Sequence, residues 1–148
     1  MKRGFFCIGL FNPKYAVNVG SVMRAAGCYG AVSVMYSGTR YKKGKQLVAD
    51  PQKFHRHIPL FHVEDLHDVI PYNCVPVAVE LVETAQSLVP YKHPERAFYV
   101  FGAEDGTLGK KVLNWCRDTI YIPTTACMNL AATVNVVLYD RLAKGVKT

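Results

Sequence analysis

The chain has 148 residues, half of them hydrophobic and a fifth charged, which fits one globular domain spanning residues 1–148 with its own core. No apolar run approaches the ~20 residues of a membrane span, and Met1-Lys2-Arg3 leads into an apolar stretch too short, and without a cleavage site, for a signal peptide. The net charge of +7 and a pI near 9.2 suit a polyanionic partner.

In chain order, Phe5 to Leu10 reads as a buried strand that reaches Asn12-Pro13. Ala16 to Tyr29 reads as a helix with Val17, Val22 (or Ser21), Ala25 and Cys28 on one side and Gly30 as its stop. Val32 to Tyr36 is a second strand, followed by a long loop from Ser37 to Pro59. Val63 to Val69 is expected to form a short helix with Glu64 and Asp65 in its first turn, where the helix dipole favours them. Val75 to Val82 and Ala97 to Phe101 are further strands, Leu108 to Cys116 a helix, Thr119 to Ile122 a fifth strand and Asn129 to Leu142 the final helix, with Arg141 and Lys144 near its end. Strands alternating with helices imply an α/β fold, a parallel sheet covered on both faces.

Three segments put a polar or glycine-rich turn where an apolar run hands over to a helix. They are Asn12 to Arg24, Phe101 to Gly106, and Cys127 to Leu130. In open α/β sheets such turns gather at the carboxyl edge of the strands, where ligands bind, so three of them point to one composite site. Each also has a plain structural account. Asn18 can cap its helix, leaving Arg24 in solvent. The Gly102 loop can be an acidic cap for the next helix, and Asn129 an ordinary N-cap. The Gly102 loop is neither a P-loop nor a GxGxxG fingerprint, since both need residues that are absent here.

Arg40, Lys42, Lys43, Lys45, Lys53 and Arg56 crowd one loop, interleaved with Tyr36, Tyr41 and Phe54 and opposed by Asp50. A charge run is usually a solvated loop. The aromatics tip the reading towards RNA, which needs phosphate neutralisation and base stacking together. His55, His57, His62 and His67 match no zinc spacing, so no metal is expected. The five cysteines are scattered without a CxxC pair and fit reduced thiols in a cytoplasmic protein.

The block Asn12-Pro13-Lys14 … Asn18-Val19-Gly20-Ser21-Val22-Met23-Arg24-Ala25-Ala26 … Gly30 resembles the first motif of the SpoU (TrmH-like) branch of the SPOUT RNA methyltransferases. Phe101-Gly102-Ala103-Glu104-Asp105-Gly106-Thr107-Leu108 is similar to the second. Ile122-Pro123 with Met128-Asn129-Leu130 and Val137-Leu138-Tyr139-Asp140 is similar to the third. The resemblance covers nearly the whole chain and is greatest to the small tRNA wobble-nucleoside ribose methyltransferases.

That resemblance implies a deep trefoil knot in the carboxyl-terminal part of the sheet, an exception to unknotted connections. It also implies S-adenosylmethionine as cofactor, a homodimer, and methyl transfer to a ribose 2′-hydroxyl of RNA, most simply tRNA. Its cofactor contacts fall on Glu80, Gly102, Ile122, Cys127, Met128 and Leu130. Catalytic or RNA-facing roles fall on Asn18, Arg24, Glu104 and Asn129, with Asn18 and Glu104 expected to orient Arg24. Cys127 and Ala131 stand where the family usually carries serine or another small polar residue. A backbone contact survives both changes, whereas a side-chain hydrogen bond weakens at Cys127 and vanishes at Ala131. Two alternatives stay open: an rRNA 2′-O-methyltransferase, and a knotted RNA-binding protein that has lost its cofactor.

Overall fold

The computed structural model describes residues 4–42 and 50–147. Its strands are β1 (Phe5–Leu10), β2 (Val34–Tyr36), β3 (Leu60–His62), β4 (Val75–Val79), β5 (Gln86–Ser87), β6 (Arg96–Phe101) and β7 (Asp118–Tyr121). Its α-helices are α1 (Ala16–Tyr29), α2 (Gly109–Trp115) and α3 (Leu130–Ala143), with short 3-10 turns at Phe54–Arg56 and Leu66–Val69. The strands form one sheet in the order β3-β2-β1-β6-β4-β7-β5, and every neighbouring pair is parallel. The α/β class expected from the alternation is the one the chain adopts.

Side chains of a strand point alternately to the two faces, so central strands must be apolar on both. Phe6, Ile8 and Leu10 of β1 join Ala97, Tyr99 and Phe101 of β6 in the layer shared with α1 and α3. Cys7, Phe98 and Val100 face the other layer, with Leu108 and Val112 around α2. Helix α1 buries Val22 and Ala25, as its spacing suggests, but on a wider surface that leaves out Val17 and Cys28. Val19, Val22, Met23, Ala25 and Ala26 are covered, while Val17 and Cys28 are exposed. The helix packs on α3 as well as on the sheet, so its buried surface is wider than one stripe.

Several boundaries move. The second strand begins at Val34, because Gly30 closes α1 in a left-handed conformation and Ala31 still bonds back to Ala26. The helix expected over Val63 to Val69 is only the 3-10 turn, with Asp65 outside it as the cap, accepting from the His67 N–H. The edge strands β3 and β5 carry no alternation signal and exist only through pairing with β2 and β7. The third strand stops at Val79, which frees Glu80 and Leu81 for the site.

Val79, Ile120 and Gln86 share one register level, with β7 between β4 and β5. Residues 80–85 therefore step across β7 in a single short connection.

The far end of α3 is fastened by polar groups. Arg141, 1% exposed, donates from Nη1 to the Pro94 carbonyl (2.6 Å) and from Nη2 to those of Glu95 (2.7 Å) and Lys147 (3.0 Å). Its Nη1 also reaches the Tyr99 hydroxyl at 3.1 Å. His93 lies between that hydroxyl (2.7 Å) and Asp140 (2.7 Å). Burial holds the His93 pKa below its usual value against the opposing pull of Asp140. A neutral ring then donates from Nε2 to the acceptor-only carboxylate and accepts at Nδ1 from Tyr99. Replacing Arg141 by Met should lower unfolding free energy by about 2–4 kcal/mol, since three carbonyls lose their donor. The denaturant midpoint would fall without a change in slope. A loss below about 0.5 kcal/mol would mean that water replaces the guanidinium.

Candidate active site

The carboxyl ends of β1, β4, β6 and β7 bring the three polar segments together. At their centre is a chain of side-chain hydrogen bonds. Asn18 Nδ2 donates to Glu104 Oε1 (2.8 Å), and Asn129 Nδ2 donates to Asn18 Oδ1 (3.1 Å). Asn129 Oδ1 in turn accepts from the backbone N–H groups of Ala131 (2.9 Å) and Ala132 (3.3 Å), capping α3. A carboxylate only accepts, so Asn18 must turn its NH₂ to Glu104 and its oxygen to Asn129. The direction of the whole chain follows from that one ionised group.

Asn18 was a candidate cap for its own helix, and the structure corrects this. It sits inside α1, 8% exposed. The N-cap residue Tyr15 has no side-chain cap, and the first turn of α1 has no acidic residue. Glu104 stands in from the β6–α2 loop, accepting from the N–H groups of Lys14 (3.1 Å) and Tyr15 (3.4 Å). A negative group there also meets the positive end of the helix dipole. Partial burial works to raise the Glu104 pKa. The hydrogen bonds from Asn18, Lys14 and Tyr15 outweigh it and hold the carboxyl below its ordinary range.

Beside this chain lies a cavity of about 420 Å³, within the ~300–1,000 Å³ of small-molecule sites. Glu80, Gly102, Ile122, Cys127, Met128 and Leu130 all line it, as does Glu104. Val79, Phe101 and Leu81 add apolar wall, and Thr124, Thr125 and Thr133 add hydroxyls. Nothing local in the sequence marks Leu81 and Thr133, whereas Thr124 and Thr125 belong to a run of small and polar residues before α3. Glu80 stiffens one side: Oε2 accepts from the Leu108 N–H (2.9 Å) and Oε1 from its neighbour Leu81 (3.1 Å). A Cβ at Gly102 would meet only ordinary contacts, 3.6 Å from the Leu108 nitrogen and 3.7 Å from Glu80. Protein packing does not demand glycine there, and the missing side chain leaves its volume to the cavity. Apolar walls with two carboxylates suit a ligand that has an apolar or aromatic part and a positive charge.

Arg24 lies elsewhere. It is exposed and shares a separate groove with Ser21, Cys28, Pro51, Ala131 and Asn135. The start of α3 divides the two spaces, with Leu130 and Thr133 on the cavity and Ala131 and Asn135 on the groove. Among the described residues Arg24 makes no hydrogen bond or ion pair, so Asn18 and Glu104 orient each other and not Arg24. Distance along α1 explains this, because Asn18 and Arg24 do not fall on one stripe.

In the basic segment Arg40 reaches other loops, whereas Asp50 is bonded within the segment itself. Arg40 bonds to Asp105 and to the Asn12 carbonyl. Buried Asp50 accepts from the N–H groups of Phe54 and His55 and from the His55 ring at 2.7 Å. Lys42 is exposed, and Lys43 and Lys45 lie outside the described residues. His62 bonds the Gly38 carbonyl and His67 stacks on Trp115. Among the described residues no three ligating side chains gather for a metal ion.

Glu104→Gln keeps the shape and removes the charge. With its folded pKa lowered, the carboxylate stabilises the fold above its unfolded value and loses that contribution as pH falls through the folded value. The gap between wild type and variant should be about 1 kcal/mol near neutrality and should close on acidification. A gap that does not change with pH would show that the charge is irrelevant to the cap.

A family model described as the SpoU rRNA Methylase family matches residues 6–139. By structure, the chain is similar to the SpoU methyltransferase AviRb from Streptomyces viridochromogenes, with 18% identity and a TM-score of 0.84 over 97% of this chain. It spans 60% of that protein's length. It is also similar to a structure described as giving insights into the 2-OH methylation of C/U34 on tRNA, with 22% identity, a TM-score of 0.82, and 97% and 99% of the two chains covered. A third is the A. aeolicus TrmH/SpoU tRNA modifying enzyme, with 18% identity, a TM-score of 0.82, and 98% and 80% covered. A sequence search of curated proteins gives no match. The family match runs from β1 into α3 and takes in every segment of the cavity wall, and on that ground the chain belongs to the SpoU rRNA Methylase family.

Proposed function

We propose that the chain works as a single S-adenosylmethionine-dependent RNA methyltransferase domain, transferring a methyl group to the ribose 2′-hydroxyl of a tRNA wobble nucleotide. The observation that carries this reading is the cavity itself. Six residues expected of a cofactor site, drawn from three distant segments, line one space beside Glu104. Family membership supports the reaction class, as does AviRb, solved in complex with the cofactor AdoMet. The tRNA substrate is supported by the similarity in fold to the structure described as giving insights into the 2-OH methylation of C/U34 on tRNA.

When bound, S-adenosylmethionine supplies an electrophilic methyl group on a positively charged sulfur. Gly102, Ile122, Met128 and Leu130 would hold it by backbone and apolar contact, and Cys127 by its backbone. Glu80 and Glu104 set a negative potential suited to its charge. Ala131, where the family usually has a small polar residue, gives its N–H to Asn129 and lines the groove, so its missing hydroxyl removes nothing from the cavity wall. The chain's own task is alignment, since a single displacement gains most from fixing acceptor against donor. Asn129 and Asn18 stand where donors could orient an incoming ribose. Arginine stays protonated, and Arg24 faces the groove and not the cavity, so it is assigned to a phosphate of the bound RNA and not to removing a proton. Exposed Val17, Val136, Tyr139 and Leu142 on α1 and α3 support a homodimer, which would enclose the groove that holds Arg24. Lys42, Lys43 and Lys45 then offer charge to the RNA.

Titration with S-adenosylmethionine should release heat, and methyl label should enter a tRNA transcript with a pyrimidine at the wobble position but not its wobble 2′-deoxy counterpart. No heat at millimolar cofactor would instead favour a non-catalytic RNA-binding protein. Label confined to rRNA would make it an rRNA enzyme. Changing Lys42, Lys43 and Lys45 to Ala together should flatten the dependence of log K on log salt by about two; an unchanged slope would place the RNA on another surface.

A further inference from the structure

Arg40 is read from sequence as one of several cations free to meet phosphate, but its surroundings differ from those of Lys42. Its Nη1 lies 2.8 and 2.9 Å from the two carboxylate oxygens of Asp105, and its Nη2 lies 2.6 Å from the carbonyl oxygen of Asn12. One guanidinium thus ties the β2–β3 loop to the turn after β1 and to the loop after β6. Lys14, 3.7 Å from Asp105, adds a second cation to the same carboxylate. The turns are fitted to each other. Asn12 has a positive φ of 50°, and a Cβ on Gly38, itself at φ 86°, would run into the Asn12 side chain. Asp105 follows Glu104 directly, and Glu104 and Gly106 both line the cavity. Both Nη groups of Arg40 are already engaged, so a phosphate that drew the guanidinium away would break the ties to both loops.

We propose that Arg40 and Asp105 form a clasp that positions the cofactor loop, and that Arg40 is not a phosphate contact. The clasp holds the Gly102–Gly106 wall in shape, so its loss acts on cofactor affinity and not on the electrostatics of RNA binding. The inference rests on the cofactor reading of the cavity given above.

The test uses the full chain with S-adenosylhomocysteine, which binds without turnover, and a tRNA transcript with a wobble pyrimidine. Arg40→Met and Asp105→Asn should each weaken S-adenosylhomocysteine about fivefold, the size of a part-exposed charged pair. The double variant should be no weaker than either single one, because both remove the same tie. Arg40→Lys, which keeps the charge but loses the fork, should resemble Arg40→Met in cofactor affinity. The salt slope of transcript binding should not move in any of them. Arg40→Met with unchanged cofactor affinity and a slope reduced by about one would overturn the clasp and make Arg40 a phosphate contact. Additive losses in the double variant would also overturn it. A wild-type protein that binds no S-adenosylhomocysteine would remove the cofactor reading itself, whereas one that binds it as tightly as all three variants would remove the clasp alone.

Discussion

The Glu104 carboxylate holds together three segments that the chain delivers separately. It caps a helix that has no cap of its own, turns Asn18 by accepting from its amide, and through Asn18 sets the orientation of Asn129 at the head of α3. Because the group accepts and never donates, the polarity of every bond downstream is fixed. A buried amide such as Asn18 is costly without partners and specific with them. Glu104, the acceptor on which these contacts depend, itself lines the cavity.

The sheet makes this arrangement possible. Parallel strands deliver their following turns to one edge, and the register of β4, β7 and β5 sends residues 80–85 across the end of β7. Glu80 and Leu81 reach the cavity because the strand ends at Val79 and not further on. Helix α3 is then held at both ends by polar groups, by Asn129 at its head and by Arg141 near its tail, with Val134, Val137 and Leu138 packed between. A helix fixed in this way keeps its first turn still, and that turn separates the cavity from the groove of Arg24.

Much of this was legible in the sequence, for physical reasons. Central strands buried on both faces read as apolar runs, and turns that must bend or leave room read as glycine and asparagine. The cavity-lining residues were accessible because their segments resemble known motifs. What stayed hidden depended on partners far along the chain. Nothing near Asn18 announces a carboxylate 86 positions away, so a local cap was the natural reading. The positive charge of Arg40 is visible in the sequence, but Asp105 as its acceptor, 65 positions on, is not. Strands of two or three residues such as β5 and β3 have no period to read, and the inward turn of Arg141 contradicts what a charge near a helix end suggests.

The central claim is that the turns after β4, β6 and β7 form one ligand site. Backbone amide shifts followed during titration with S-adenosylhomocysteine test it most directly. Signals of Glu80, Gly102, Ile122, Met128 and Leu130 should move together along a single binding curve, with Tyr72 in the turn before β4 and Phe61 on edge strand β3 unmoved. Shifts confined to one of the three turns, or curves with different midpoints, would contradict it.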